Sequence, residues 1–271
     1  MNATFEETAT LLPAGRQAVI VEHLREQRTA RVRELAYKLG VSEMTIRRDI
    51  DVLAASGAVE KIHGGAKLPG NLSHDEPRFA IKQLRQEPEK QAIAREAVKH
   101  VIPGMVVGIS AGTTTYALTA ELRAIPGLTI VTNSIPAAAQ FDHIVGKNAY
   151  SGTVLLTGGE RTPSDALVGP IAVSSLRQLH VDILFLGVHG VHEQAGLTTP
   201  NLLESEINQA FIAAANQVAV LADHTKWGTI GMSTIAPLEA AQVFITDDRL
   251  HAAAQATLRE RVGRLIIAKN A

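Results

Sequence analysis

The stretch SEMTIRRDIDVLAASGAVEKIHGGAKL, residues 42–68, changes its hydrophobic period partway along. Up to Gly57 the apolar residues Ile46, Ile50 and Leu53 recur at helical spacing. At ~100° per residue they fall within about 60° of one another and face a core. Met44, Thr45, Arg47 and Arg48 are left on the outer arc, near the helix N-terminus. Ser42 is placed to cap that helix through its hydroxyl oxygen, and Gly57 to end it. After Gly57 the segment AVEKIHGGAKL alternates apolar and polar residues around Gly64-Gly65, a pair able to take the positive φ angles of a tight hairpin turn.

Two more amphipathic helices precede this stretch, marked by Ile20 and Leu24 and then by Val32, Leu35, Ala36 and Leu39, with Gly40 closing the second. Three helices and a hairpin make a winged helix-turn-helix, expected over residues 14–70. A recognition helix sets its early residues against base edges in the major groove, where arginine bonds the two guanine acceptors or a phosphate. The expected DNA-facing set is Arg31, Ser42, Met44, Thr45, Arg47, Arg48, Lys61 and His63. His63 is either a turn residue or a phosphate contact. Asp49 reads as an internal partner for a helix arginine rather than as a DNA contact.

Beyond residue 70 the chain changes character. Residues 71–88, rich in proline and charge, read as a linker that runs into a helix from about 89 to 100. Residues 89–271 then alternate short β-branched runs (MVVGIS, LTIVTN, TVLLTG, DILFLGV, VAVLAD, VFITD, RLIIA) with Ala-rich segments of helical length. Continuous apolar strands alternating with helices imply a parallel sheet covered on both faces, an α/β domain.

Three glycine- and hydroxyl-rich loops follow strands of this domain: Ser110-Ala-Gly112-Thr113-Thr114-Thr115, Thr132-Asn133-Ser134, and Thr157-Gly158-Gly159. In an open parallel sheet the carboxyl ends of the strands line the ligand crevice, so the three are expected to converge on one pocket. Backbone N–H groups at the helix start after Gly112, helped by threonine hydroxyls, suit a phosphate. ADHTKW, again after a strand, adds Lys226, whose ammonium neutralises a phosphate or bonds a sugar hydroxyl. His189 is a further pocket candidate. Each element also has a plainer reading, as a helix cap, a turn or a solvated lysine; their repeated placement at strand ends favours the pocket. Asp182 reads as a strand-edge residue, and Glu204 as a carboxylate favoured by its place at a helix start. His189 and His192 have no evident third partner, so no metal site is expected.

The 271 residues carry 26 Lys+Arg against 27 Asp+Glu, which excludes a wholly basic nucleic-acid coat but not one small DNA-binding face. Residues 16–70 hold ten basic and seven acidic side chains, a net of +3 against −4 for the remainder. That modest excess implies weak phosphate attraction per subunit, and so a homo-oligomer, dimer or higher. No cysteine is present, which removes disulfides, Cys zinc sites and thiol chemistry and suits a reducing cytoplasm. The first fifteen residues have no signal-peptide pattern. The longest charge-free runs, 124–141 and 207–222, are broken by Pro, Gly, Asn or Gln, so no membrane span is expected.

The spacing of Arg16, Ile20 and Leu24, followed after seventeen residues by SEMTIRRDI, resembles the signature of the DeoR family of transcription regulators, and VEKIHGGA resembles that family's wing. SAGTTT, IVTNS, LLTGGE, LVGP, DILFLGVHGV, GLTT, VLADHTKW and VFITDD resemble, in order, the family's C-terminal sensor domain. The resemblance implies a sensor similar in fold to ribose-5-phosphate isomerase that binds a phosphorylated sugar, with no cofactor. The implied function is repression of a carbohydrate-utilisation operon by a DNA-bound protein that answers to that effector. The family often carries an aspartate two residues before the glycine of the GTT loop, where this chain has Ser110; an aspartate there would bond sugar hydroxyls or adjust the loop's charge. An isomerase would need a general base beside the substrate carbon. The pocket loops offer Ser, Thr, Asn, Gly and Lys but no paired carboxylates, so no enzyme activity is expected.

Overall fold

The structure is a computed structural model that describes residues 12–27, 29–56, 58–62, 64–67, 79–141 and 150–269. The chain divides into two units, Met1–Leu72 and Ser73–Ala271. The expectations for Gly57, His63 and residues 71–78 lie outside the described residues.

The first unit runs α1 (Pro13–Gln27), β1 (Thr29–Arg31), α2 (Val32–Leu39), α3 (Glu43–Ala55), β2 (Glu60–Ile62) and β3 (Gly65–Lys67). Ile20, Leu24, Leu35, Leu39 and Ile46, one stripe from each helix, are almost fully buried. Burying a side chain of that size contributes about 1.5–3 kcal/mol, so this stripe holds the three short helices together. Gly40 takes a left-handed φ of 63° and closes α2. The Thr45 N–H donates to Ser42 Oγ at 3.1 Å and caps α3. The strands form one antiparallel sheet in the order β1-β3-β2. β1 has no signal in the sequence, because three residues are too few to show a period.

The wing turns differently from the sequence reading. Gly64 has a φ of 77°, but Gly65 is the first residue of β3, paired with Ile62 on one side and Arg31 on the other. A Cβ at Gly65 would lie 2.2 Å from the Ala30 carbonyl oxygen. Gly65 is there for close approach of two backbones, and only Gly64 of the pair supplies a left-handed turn residue.

The second unit begins with α4 (Phe79–Gln83), inside the segment expected as linker, followed by α5 (Glu87–Ala97), which continues as a 3-10 turn over Val98–His100. Then come β4 (Val106–Ile109), α6 (Thr113–Leu122), β5 (Thr129–Thr132), α7 (Ile135–Ala139) and β6 (Thr153–Leu156). β7 (Glu160–Arg161), β8 (Leu167–Val168), α8 (Pro170–Leu176), β9 (Val181–Gly187), β10 (Gly190–His192) and β11 (Gly196–Thr199) follow. The chain ends with α9 (Leu202–Ala214), β12 (Ala215–Leu221), β13 (Ser233–Ala236), β14 (Val243–Asp247), α10 (Ala252–Arg261) and β15 (Leu265–Ala268).

Seven of these strands, one from each apolar run, form the sheet β15-β14-β12-β9-β4-β5-β6, parallel throughout. Alternate residues of β9 feed two separate cores: Leu184 and Leu186 join Ile207, Phe211 and Phe244 on one face, and Ile183 and Phe185 join Ile93, Leu118 and Ile245 on the other. From β4 the chain winds outward through β5 to β6, then returns to the opposite side of β4 with β9 and continues through β12 to β15. The sheet's winding therefore reverses between β4 and β9, and a crevice opens above their carboxyl ends.

Candidate functional site

In the first unit, α3 presents the expected outer face. Ile46, Asp49, Ile50 and Leu53 are buried, whereas Met44, Arg47 and Arg48 are exposed and Thr45 is half-buried against the cap. Asp49 does not face outward: Arg16 Nε of α1 donates to its Oδ2 at 2.6 Å, and Gln17 Nε2 to its Oδ1 at 3.3 Å. That pairing also raises the Arg16 pKa above its ordinary value, chiefly through the hydrogen bond. The Arg47 guanidinium lies 3.7 Å from Glu43, one turn back along the exposed surface. Lys61, on the wing, forms an ion pair with Asp51 of α3, fixing wing to helix. Arg31 is exposed at the start of α2, with its N–H donating to Glu34 Oε2 at 3.1 Å.

In the second unit a small cavity of about 50 Å³ lies at the reversal point. Its walls are Ala111 to Thr114 after β4, Gly187 to His189 after β9, Thr199, Glu204 and Asn208 around α9, Lys226 after β12, and Lys82 of α4. The first bond of the α6 ladder runs from the Tyr116 N–H to the Gly112 carbonyl. The N–H groups of Thr113 and Thr114 thus precede the ladder, at the positive end of the helix dipole.

Buried carboxylates position the lysine loop. The Thr225 N–H donates to Asp223 Oδ1 at 3.0 Å, and the His224 N–H to Asp247 Oδ2 at 2.7 Å, which anchors the turn that ends in Lys226. Burial pushes the Asp223 carboxyl up, but Lys226, the Thr225 bonds and Lys90 together outweigh it and hold Asp223 below the usual carboxylate range. Lys90 is buried in turn, and that burial pulls its ammonium down to about 8.

Glu204 is a further wall residue of the cavity. It accepts from Ser164 Oγ at 2.5 Å, Thr162 Oγ1 at 3.3 Å and Thr199 Oγ1 at 3.3 Å. Asn201 caps α9 by accepting from the Leu203 and Glu204 N–H groups, which fixes the turn that carries Glu204. Asn208 follows one turn later on the same face.

The expected convergence of all four loops narrows to the GTT and lysine loops. Ser110 is fully buried, with its Oγ accepting the Gly187 N–H at 2.9 Å, so it stitches β4 to β9 beneath the cavity. Thr115 Oγ1 donates to the Ser110 carbonyl at 2.7 Å. Asn133 accepts the Ala111 N–H at 2.8 Å and donates to the Leu167 carbonyl, holding the GTT loop from behind. Ser134 caps α7. Gly158 and Gly159 turn with φ values of 70° and 114°, where Gly159 passes close under the Val168 carbonyl. None of these six lines the cavity. Their hydroxyl and amide groups meet backbone that a single parallel sheet leaves unpaired at its rim. Asp182 Oδ2 accepts the Val106 N–H at 2.8 Å, at the amino ends of the strands and away from the cavity. His192 Nδ1 accepts from its own turn, and among the described residues no group of three His, Cys, Asp or Glu is placed to hold a metal.

Lys82, Thr199 and Asn208 were not signalled. Lys82 is hidden among the charges of the expected linker; Glu204 and Asn208, four apart behind a capping asparagine, carry a pattern that could have marked a polar face aimed inward.

Residues 16–71 match the DeoR-like helix-turn-helix domain, and residues 85–248 the DeoR C-terminal sensor domain. The chain belongs to the DeoR family of transcription regulators. Its DeoR relatives include the regulator GlpR of Haloferax volcanii, 36% identical over 89% of this chain and 92% of that one. The regulator YgbI of Escherichia coli is 32% identical over 96% and 100%. The transcriptional repressor AccR of Agrobacterium fabrum is 31% identical over 86% and 88%. Among solved structures, ribose 5-phosphate isomerase A of Methanocaldococcus jannaschii overlaps 51% of this chain and 53% of its own at 22% identity, with a TM-score of 0.36. The helix-turn-helix makes this a DNA-binding regulator. No described helix is long and apolar enough to cross a membrane.

Proposed function

We propose that this protein is a repressor that grips a two-fold operator as a homo-oligomer and releases it when a phosphorylated sugar occupies the sensor cavity. The observation that carries the reading is the composition of that cavity: a helix N-terminus, Lys226 and Lys82, together with Glu204 and Asn208. The first group suits a phosphate. A carboxylate in the same space disfavours a bare polyanion and accepts from sugar hydroxyls. His189 and Thr199 add further polar groups to its lining. On the DNA side, the exposed Met44, Arg47 and Arg48 reach base edges, while Arg31 meets a phosphate. AccR, a relative, is named a repressor.

A panel of sugar phosphates in a thermal-shift assay tests the ligand class. A true effector at a hundred times its Kd adds about 2.7 kcal/mol of stability. Stabilisation by no member of the panel would sink the reading. Lys226→Ala is expected to leave binding to promoter DNA unchanged and to remove the response to the stabilising sugar phosphate, read as release of labelled DNA in a gel shift.

A further inference from the structure

α4 is the first described element after the DNA-binding unit, and side-chain contacts outside the sheet hold it to the sensor. Phe79 packs edge-on against Tyr116 of α6, with ring centroids 5.3 Å apart. Lys90 of α5 donates from its ammonium to the carbonyls of Lys82 and Arg85, at 2.6 and 2.5 Å, and so clasps the end of α4 and the turn after it. Lys82 itself lines the cavity alongside Thr113 and Lys226.

The cavity's size bears on this arrangement. About 50 Å³ admits a few water molecules, whereas pockets for small ligands run to about 300–1,000 Å³. A sugar phosphate therefore needs a wall to move. The other walls belong to β4, β9, α6 and α9, which are built into the two cores, and to the loop pinned by Asp223 and Asp247. α4 is five residues long and lies outside the sheet.

We propose that α4 is a strap that opens to admit the effector and recloses on its phosphate through Lys82, and that this movement transmits occupancy along the chain to the DNA-binding unit. The inference rests on the proposed sensor function and adds a movement of the element that carries Lys82. A ligand shifts an equilibrium only by binding one state better than the other. Lys82 supplies that difference, because its ammonium reaches the phosphate only in the closed position.

The test uses the full chain, promoter DNA and whichever sugar phosphate of the panel stabilises the wild type. Hydrogen exchange at residues 79–86 is expected to slow when that compound binds. Lys82→Ala should bind it about tenfold more weakly, show no slowing at 79–86, and keep its grip on DNA when saturated; Lys82→Arg should restore both responses. If saturated Lys82→Ala still slows at 79–86 and releases DNA like the wild type, the strap is overturned while the sensor reading stands. If no compound in the panel stabilises the wild type, both fall together.

Discussion

Arg47 and Arg48 stand next to Asp49 in the chain, yet the fold sends them opposite ways: the arginines outward, the aspartate to Arg16. Replacing Arg47 or Arg48 by alanine is expected to cost about 1–3 kcal/mol in operator binding where the side chain reads a base, measurable by fluorescence anisotropy. An affinity unchanged by either substitution removes that arginine from the interface. The inward turn of Asp49 could be read from helical spacing alone. The pairing of Lys61 with Asp51 could not, because it depends on where the wing folds back. The cavity shows the same division. Thr113, Thr114, His189 and Lys226 were legible as pocket groups because each follows an apolar strand; Asn133 and Ser134 have the same placement, but their neighbours claim them as backbone braces. Lys90 gives a residue-level prediction with a definite sign. Its folded pKa is lowered from 10.5 to about 8, so between those values the unfolded chain holds a proton that the folded chain has shed, and stability from this group rises with pH. Below pH 8 both states hold the proton and the cost of burying the charge is at its full value. In urea titrations the stability of wild type relative to Lys90→Met should therefore improve by up to about 3 kcal/mol from pH 8 to 10.5. A difference that stays flat across that window rules out the buried ammonium as its source.

At the scale of elements, all seven parallel strands were visible in the sequence because each reads as a continuous apolar run, even the edge strand β6, whose residues are largely exposed. β7, β8, β10, β11 and β13, two to four residues each, pair antiparallel outside that sheet and carry too little sequence to show a period. The same limit hid β1, and with it the reason for Gly65. Since a Cβ there meets the Ala30 carbonyl at 2.2 Å, Gly65→Ala is expected to part β1 from β3 at a cost of about 1–3 kcal/mol, with weakened operator binding. Retention of both the thermal midpoint and the affinity would mean that the wing does not need this contact. Ser42→Ala removes the cap of α3 and should cost about 1 kcal/mol, seen in the same melts.

For the whole molecule, near-neutrality conceals a basic stretch, +3 over residues 16–70, against −4 over the remaining residues. A DNA-facing stretch with so small an excess attracts DNA weakly, and the repressor reading therefore depends on two copies acting together. Salt dependence measures that directly. The slope of log K against log salt for duplex DNA is about −0.9 for each phosphate neutralised. Arg31, exposed at the start of α2, is placed for a phosphate because the first helix of such a motif crosses the backbone. Arg31→Ala should therefore flatten the slope by about one unit for every subunit on the DNA, so a two-fold complex loses about two. A loss of about one means that a single subunit is engaged and the homo-oligomer is not the binding species. No change in slope, with affinity also unchanged, takes Arg31 off the phosphate backbone altogether.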